Sequence, residues 1–283
     1  MQKEEPDTGK AAPIAGGDIA ELNGVAPAKP IAHCPLQISA VKDPEEENTE
    51  GNRVFYESVP DPYIGAALLL VAPIRSGKST LISNLLLSEN WYRDLFGEHL
   101  YIISSTIFND VTSRFIREAN KERCFPEYDD AIIDYVVQVQ NRKIKQKEKD
   151  QSYAVILDDC FGSLSPSPMA KKGRAFSNLT TRLRHYAPRA DAAALMVYST
   201  QKFKDCPAPF RANATAIALS KRILNQNEYR AIEDEYASAC GGQKAFRSFW
   251  AALQASPNPY SFLWVHQNRS PVEVWIDFDT RLK

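Results

Sequence analysis

The sequence contains no long hydrophobic run, no closely spaced cysteine pair and almost no net charge. Without a run of about 18 apolar residues, no membrane-spanning helix is expected, and the first residues lack the apolar core of a signal peptide. The five cysteines are odd in number and never spaced as CxxC, which favours buried or incidental thiols over disulfides or a zinc site. We therefore expect an intracellular protein. Its net charge of −1 restricts any contact with nucleic acid to local basic segments.

The chain changes character near residue 53. Residues 1–52 are rich in proline and small residues and include an acidic run at 43–50, so they predict a flexible N-terminal tail. Residues 53–283 alternate apolar segments with helical patterns. This alternation predicts an α/β domain with a mainly parallel sheet, helices on both faces and a C-terminal β-hairpin.

Apolar runs and helical periodicity place the individual elements. Strands are predicted at residues 53–59, 65–72, 99–106, 153–159, 193–201 and 214–219, with a closing hairpin in 260–278. Helices are predicted at 77–88, 109–120, 129–147, 225–239 and 243–252.

The segment LLLVAPIRSGKSTLISNLLL, residues 68–87, joins an apolar strand to a leucine-rich helix through a loop that ends in GKST. Amides of such a loop form a nest for phosphate oxygens, the lysine reaches the β and γ phosphates, and the next hydroxyl holds Mg²⁺. Lys78 and Ser79 fill these roles. Ala72 replaces the first glycine of the GxxxxGK[ST] pattern, which is tolerable if its φ is negative and costly if it is positive. The predicted ATP-binding residues are Ala72, Pro73, Ile74, Arg75, Ser76, Gly77, Lys78, Ser79 and Thr80.

Two further strands end in polar residues. YAVILDD ends in Asp158 and Asp159, and such a pair predicts one carboxylate for Mg²⁺ and one that polarises the attacking water. LMVYSTQ ends in Gln201, which would lie beside the carboxylates if the two strands are neighbours. An ordinary acidic turn and a strand-capping glutamine are the structural alternatives.

Basic residues supply two more kinds of candidate. An arginine from a neighbouring subunit can stabilise the charge on a transferring phosphoryl group. Arg182 and Arg184, on a predicted helix, and Arg211 are available for this role. Residues 141–149 and 169–176 are locally basic and could contact DNA, although a solvated helix face and a surface loop explain them equally well.

Four segments taken together resemble the genome-packaging ATPases of nucleocytoplasmic large DNA viruses, a branch of the FtsK-HerA superfamily. They are APIRSGKST, VILDD, LRHYAPRADAAALMVYSTQ and CPAPFRANATAIAL, and the resemblance covers about residues 53–219. It implies a RecA-like core, a hexameric or similar ring, and ATP- and Mg²⁺-dependent movement of double-stranded DNA into a capsid, with capsid or portal-type proteins as partners. It implies the host cytoplasm, a viral factory or the virion as the location.

Transferred by position, the resemblance gives each candidate residue a role. Lys78 and Ser79 would bind phosphate and Mg²⁺, Asp158 would bind Mg²⁺, and Asp159 would act on the water. Gln201 would be the sensor, and Arg184 is favoured over Arg182 and Arg211 as the arginine finger. Asp159 stands where many such enzymes carry glutamate, so slow hydrolysis is one expectation.

Two other functions fit part of the sequence. A P-loop kinase for nucleosides or other small molecules would explain the phosphate loop and the parallel sheet, but it gives Gln201 no role. A nucleotide-binding virion scaffold without turnover would explain Ala72 and the Asp158-Asp159 pair.

Overall fold

The computed structural model describes residues 55–88, 91–108, 113–160 and 173–282. All of them belong to one compact unit, Asp43–Lys283. The predicted tail, residues 1–52, lies outside the described residues.

Within the described residues, nine strands form a single sheet. The strands are β1 (Ala66–Val71), β2 (Leu100–Ser104), β3 (Cys124–Phe125), β4 (Tyr153–Asp158), β5 (Ala194–Thr200), β6 (Ala216–Ser220), β7 (Phe262–His266), β8 (Glu273–Ile276) and β9 (Thr280–Arg281). The α-helices are α1 (Lys78–Leu87), α2 (Arg114–Ala119), α3 (Asp130–Lys145), α4 (Arg174–Thr181), α5 (Ala208–Asn213), α6 (Gln226–Tyr236) and α7 (Gln243–Ala255). No described helix is long and apolar enough to cross a membrane.

The strand order is β3-β2-β4-β5-β1-β6-β7-β8-β9. The strands from β3 to β6 run parallel, and β7, β8 and β9 add antiparallel pairs at one edge. The predicted α/β class, mainly parallel sheet and C-terminal hairpin are therefore confirmed. β5 lies between β1 and β4, so the strand that ends near Gln201 separates the GKST strand from the carboxylate strand.

Both faces of the parallel sheet are covered, which explains its unbroken apolar strands. Leu68 and Leu70 of β1 pack on the face that carries α1, together with Leu85 of that helix. Leu69 and Val71 point to the opposite face. Because β1, β4 and β5 are parallel neighbours, their C-terminal ends lie side by side at one end of the sheet, and α1 starts from that same end.

Several local predictions were wrong. No strand forms in the described part of residues 53–59; residues 55–59 are coil and turn. The helix expected at 109–120 is confirmed only at Arg114–Ala119, and residues 109–112 lie outside the described residues. Arg182 and Arg184 do not share an α-helix, because α4 ends at Thr181 and Arg184 lies in the 3₁₀ turn Leu183–Tyr186.

Four of the five cysteines, Cys124, Cys160, Cys206 and Cys240, lie in the described part and are buried. Burial raises the pKa of the Cys160 thiol to about 12, so this side chain stays protonated and unreactive at neutral pH. The prediction of buried thiols is confirmed for these four cysteines.

Candidate functional site

In the loop between β1 and α1, the residues with left-handed backbone conformation do not include Ala72. Ala72 continues the strand by donating its N–H to the carbonyl oxygen of Thr200 at 2.9 Å, and it is not among the residues with positive φ. The positive φ angles fall at Arg75, +59°, and Gly77, +92°. The missing glycine is therefore tolerated, since its position does not require the conformation that glycine makes cheap.

Gly77 begins α1 in the left-handed conformation and directs the loop into the helix. The first amides of a helix have no partner within the helix, so they and the helix dipole favour a bound anion. Pro73 through Thr80 line an open cleft of about 1440 Å³ at this point, and Ala72 is buried behind it. The loop thus has the geometry expected for binding phosphate.

Lys78 is buried, with only 7% of its side chain exposed. Its Nζ donates to the carbonyl oxygen of Ala72 at 3.1 Å and lies 3.3 Å from Oδ2 of Asp159. The ammonium group is therefore held between the phosphate loop and the carboxylate strand. A buried cation at this position favours an anion in the cleft.

Asp159 and Gln201 are in contact because they follow β4 and β5, which are parallel neighbours with their C-terminal ends side by side. Nε2 of Gln201 lies 3.3 Å from Oδ2 of Asp159, the same oxygen that faces Lys78. Asp159 has a φ of +49°, a conformation that aspartate adopts more readily than most residues and that occurs often at functional sites. The structure confirms that these predicted site residues lie side by side, whereas their chemical roles stay predictions.

Asp158 points to the sheet face that carries α1, as does Ile156 two residues earlier. Its Oδ2 accepts a hydrogen bond from Oγ of Ser104 at 3.3 Å, and its buried Oδ1 has no partner among the described residues. Burial is the main cause that raises the pKa of this carboxyl, and the neighbouring hydroxyl of Ser199 and the charge of Lys78 oppose the shift. A buried carboxylate oxygen without a partner fits a role in holding Mg²⁺, for which oxygen ligands are preferred.

The arginine candidates do not converge on this site. Nη2 of Arg184 donates to the carbonyl oxygens of Pro188 and Arg189, at 3.3 and 2.8 Å. A Cβ at Gly65, just before β1 begins, would lie 3.4 Å from Cβ of Arg184, so Arg184 lies near the N-terminal end of β1, away from Lys78. Arg211 pairs with Glu235 at 3.2 Å. An arginine finger supplied to a neighbouring subunit stays a prediction, and Arg184 would have to release two carbonyls to serve as one.

The basic segment at residues 141–149 is only partly available for DNA. Arg142, Lys145, Lys147 and Lys149 are exposed, but Lys143 is 2% exposed and its Nζ donates to the carbonyl oxygen of Asp150 at 2.6 Å. Since Asp150 lies just before β4 begins, this segment is near the N-terminal end of β4, whereas Lys78 is near the C-terminal end of β1. Of the second basic segment, residues 169–172 lie outside the described residues, and Arg174 is exposed.

One wall of the cleft was missed by the sequence analysis. It is built from the C-terminal part of the chain and includes Asn258, Tyr260, Phe262, Asp277 and Phe278, while Trp91 and Thr106 also line the cleft. The unbroken apolar run of β7, which is buried on both faces, could have shown that this strand belongs to the core beside the site. Phe262 and Trp264 indeed pack in the same cluster as α1.

Arg222 connects this wall to the phosphate loop by hydrogen bonds to both. The sequence analysis did not identify it as a site residue. It follows β6 and donates from Nη1 to the carbonyl oxygen of Arg75 at 2.8 Å and from Nε to that of Pro259 at 3.2 Å. Its guanidinium carbon lies 4.8 Å from the centroid of the Tyr260 ring. A Cβ at Gly77 would lie 3.7 Å from Cβ of Tyr260, so this tyrosine covers the turn into α1.

The fold and the loop define a P-loop type of nucleotide site. No protein-family model matches the chain, and no curated protein sequence matches it. Among solved structures, the genome packaging NTPase B204 from Sulfolobus turreted icosahedral virus 2, in complex with ATP-gammaS, is 18% identical with a TM-score of 0.45; the match covers 73% of this chain and 94% of that chain.

Two further matches are similar in kind. B204, the DNA-packaging ATPase from Sulfolobus turreted icosahedral virus, is 17% identical over 76% of this chain and 98% of that chain, with a TM-score of 0.48. The pCW3 conjugation coupling protein TcpA is 13% identical over 70% of this chain and 57% of that chain, with a TM-score of 0.41. The roles proposed for individual residues rest on the site geometry.

Proposed function

We propose that this protein is an ATPase that uses ATP hydrolysis to move double-stranded DNA, and that it packages a viral genome into a capsid. The observation that supports hydrolysis is the contact of Lys78, Asp159 and Gln201 at the mouth of the phosphate loop. The DNA-packaging part rests on the resemblance of the four motif segments to viral packaging ATPases. The same resemblance supports a ring of subunits, capsid or portal-type partners, and a place of action in the host cytoplasm, viral factory or virion.

Each residue has a defined task in this proposal. The amides of the phosphate loop bind the phosphate oxygens, and Lys78 neutralises charge at the β and γ phosphates. Ser79 and Asp158 would hold Mg²⁺, which when bound supplies positive charge to the phosphate oxygens. Asp159 accepts a proton from the attacking water, and Gln201, which contacts Asp159, orients that carboxylate and senses whether the γ phosphate is present.

Geometry favours Asp159 over Asp158 as the group that acts on water. Asp159 lines the cleft and its side chain is 20% exposed, whereas Asp158 is 8% exposed and turned toward Ser104. A general base must reach the proton that it removes, directly or through one water. The position of Asp159 in the lining of the cleft supports this role.

The test is the rate of phosphate release from ATP with and without double-stranded DNA, paired with a mass measurement in the presence of ATP. We expect duplex DNA to accelerate hydrolysis and ATP to favour rings. Lys78→Ala should abolish both basal and stimulated hydrolysis, while Lys145→Ala, which changes an exposed lysine on α3, should retain basal hydrolysis.

Other outcomes would point to the rival functions. Hydrolysis that ignores DNA, together with phosphate transfer to a nucleoside, would show a kinase. ATP binding without turnover, even with DNA present, would show a scaffold. Full hydrolysis by Lys78→Ala would show that the site is wrongly assigned.

A further inference from the structure

The cleft extends well beyond the phosphate loop. On α1 it passes from Thr80 to Asn84, one helical turn further along, and then reaches Trp91. At about 1440 Å³ it is larger than most small-molecule sites, which occupy about 300–1,000 Å³ and are lined mainly by apolar and aromatic side chains. The space beyond Asn84 is therefore available to the part of a nucleotide that follows the phosphates.

Two aromatic rings pack edge to face at this far end. The ring centroids of Trp91 and Phe278 lie 4.8 Å apart at an interplanar angle of 66°. Phe278 also contacts the fully buried Trp264, with centroids 4.4 Å apart. Both Trp91 and Phe278 are half-buried, so they join the core on one side and line the cleft on the other.

The backbone holds Phe278 in place by an unusual turn between β8 and β9. Asp277 and Phe278 have φ angles of +53° and +72°, a region that a bulky side chain rarely adopts. The turn is fixed by the Asp277 carboxylate, which accepts from Oγ of Ser261 at 2.7 Å and from the N–H of Phe262 at 2.9 Å. Glycine would adopt these φ angles with less backbone strain than phenylalanine, so the ring of Phe278 is expected to have a role that offsets this strain.

Trp91 is held equally firmly on the other side. Its N–H donates to the carbonyl oxygen of Ser88 at 3.1 Å, directly after α1 ends. The next residue, Tyr92, is buried and donates from its hydroxyl to the carbonyl oxygen of Pro60 at 2.8 Å. Both rings are thus preorganised, and little conformational entropy is lost when a ligand packs on them.

We propose that Trp91 and Phe278 form a binding wall for the base of the bound nucleoside triphosphate. This inference rests on the proposed function, because the phosphates must occupy the loop at Lys78 for the base to reach the wall. Flat π surfaces stack on one another and accept different bases. We expect purine triphosphates to bind more tightly than pyrimidine triphosphates, since a purine covers a larger ring area.

The experiment compares a ligand that has a base with one that has none. The dissociation constants of a hydrolysis-resistant ATP analogue and of inorganic tripolyphosphate are measured with Mg²⁺ on the full chain. Phe278→Leu and Trp91→Leu keep an apolar side chain but remove the rings. Stacking on an aromatic side chain contributes about 1–3 kcal/mol per base, so the ATP analogue should bind roughly 5- to 150-fold more weakly, with tripolyphosphate binding unchanged.

Two variants serve as controls. Tyr135→Leu changes a tyrosine on α3 that is 54% exposed and lies on the other face of the sheet, and it should affect neither ligand. Trp91→Phe keeps an aromatic ring, so it should bind the ATP analogue nearly as well as the wild type. The analogue should change the tryptophan fluorescence of the wild type much more than that of Trp91→Phe, and tripolyphosphate should change neither.

The outcomes separate this inference from the proposed function. If the wild type binds tripolyphosphate as tightly as the ATP analogue, or if the leucine variants weaken both ligands equally, the base wall is refuted while the phosphate site stands. If the wild type binds neither ligand, the proposed function fails, and the base wall fails with it.

Discussion

Replacing Asp158 by asparagine should make the free protein more stable and its hydrolysis slower. The carboxylate is 8% exposed, Oδ1 has no partner among the described residues, and Oδ2 accepts a single hydrogen bond of 3.3 Å. A buried polar group without a partner costs about 1–3 kcal/mol. Asparagine has nearly the same shape, carries no charge, and can donate from its amide to Oγ of Ser104.

The sign of the pH dependence follows from the pKa of Asp158, which burial raises in the folded state. Above the unfolded value of about 3.9, ionisation costs free energy in the folded protein that it does not cost in the unfolded chain. The advantage of Asp158→Asn should therefore be small in acid, grow as the pH rises through the raised pKa, and level off above it. At neutral pH a gain of about 1–3 kcal/mol corresponds to roughly 2–12 °C in Tm for a domain of this size.

Thermal unfolding followed by circular dichroism, without nucleotide and with a metal chelator, measures this gain between about pH 4.5 and about pH 8.5. Asp134→Asn, an exposed carboxylate on α3, is the control and should change Tm little. Lower stability of Asp158→Asn at neutral pH, or the same gain at every pH, would refute the reasoning. Mg²⁺-dependent hydrolysis should fall in the same variant, because a metal ligand is lost.

Three further changes probe the loop and its surroundings. Gly77→Ala should lower the free energy of unfolding by about 1–2 kcal/mol, since its φ is +92°. Gly97→Ala, at φ +45°, should also destabilise in thermal melts, but only the Gly77 variant should weaken ATP binding. Asp159→Asn should bind ATP in calorimetry yet hydrolyse it about 10²- to 10⁴-fold more slowly, and unimpaired turnover would remove Asp159 as the base. Arg222→Lys keeps the charge but loses the fork that contacts two carbonyls, so ATP should bind more weakly; unchanged affinity would show that Arg222 does not position the loop.

Much of the fold and the centre of the site follow from local sequence patterns. β1, β4 and β5 are buried on both faces, so each appears in the sequence as an unbroken apolar run. The polar residues that follow each run indicate where the C-terminal ends of these strands form the site. The contact of Gln201 with Asp159 required only that β4 and β5 be neighbours. The sequence did not predict the sign of φ at Ala72, because the conformation of the whole loop determines which of its residues adopt positive φ. In the structure these are Arg75 and Gly77.

The parts that were missed depend on contacts between distant segments. Phe278 contacts Trp91, which follows α1, from the antiparallel edge of the sheet, and no short-range pattern shows which segment a terminal hairpin will contact. Arg222 looks like one more surface arginine until its two carbonyl partners, Arg75 and Pro259, are brought together by folding. Lys143 looked equally exposed in its basic run, but the turn at Asp150 buries it.

The most direct test of the central claim is whether the protein moves along double-stranded DNA when it hydrolyses ATP. A third strand bound to a duplex reports this movement, because a protein that translocates along the duplex displaces it. We predict ATP-dependent displacement by the wild type and none by Lys78→Ala or with a hydrolysis-resistant analogue. Hydrolysis of ATP on duplex DNA without any displacement would contradict the motor, even if the nucleotide site at Lys78, Asp159 and Gln201 is correct.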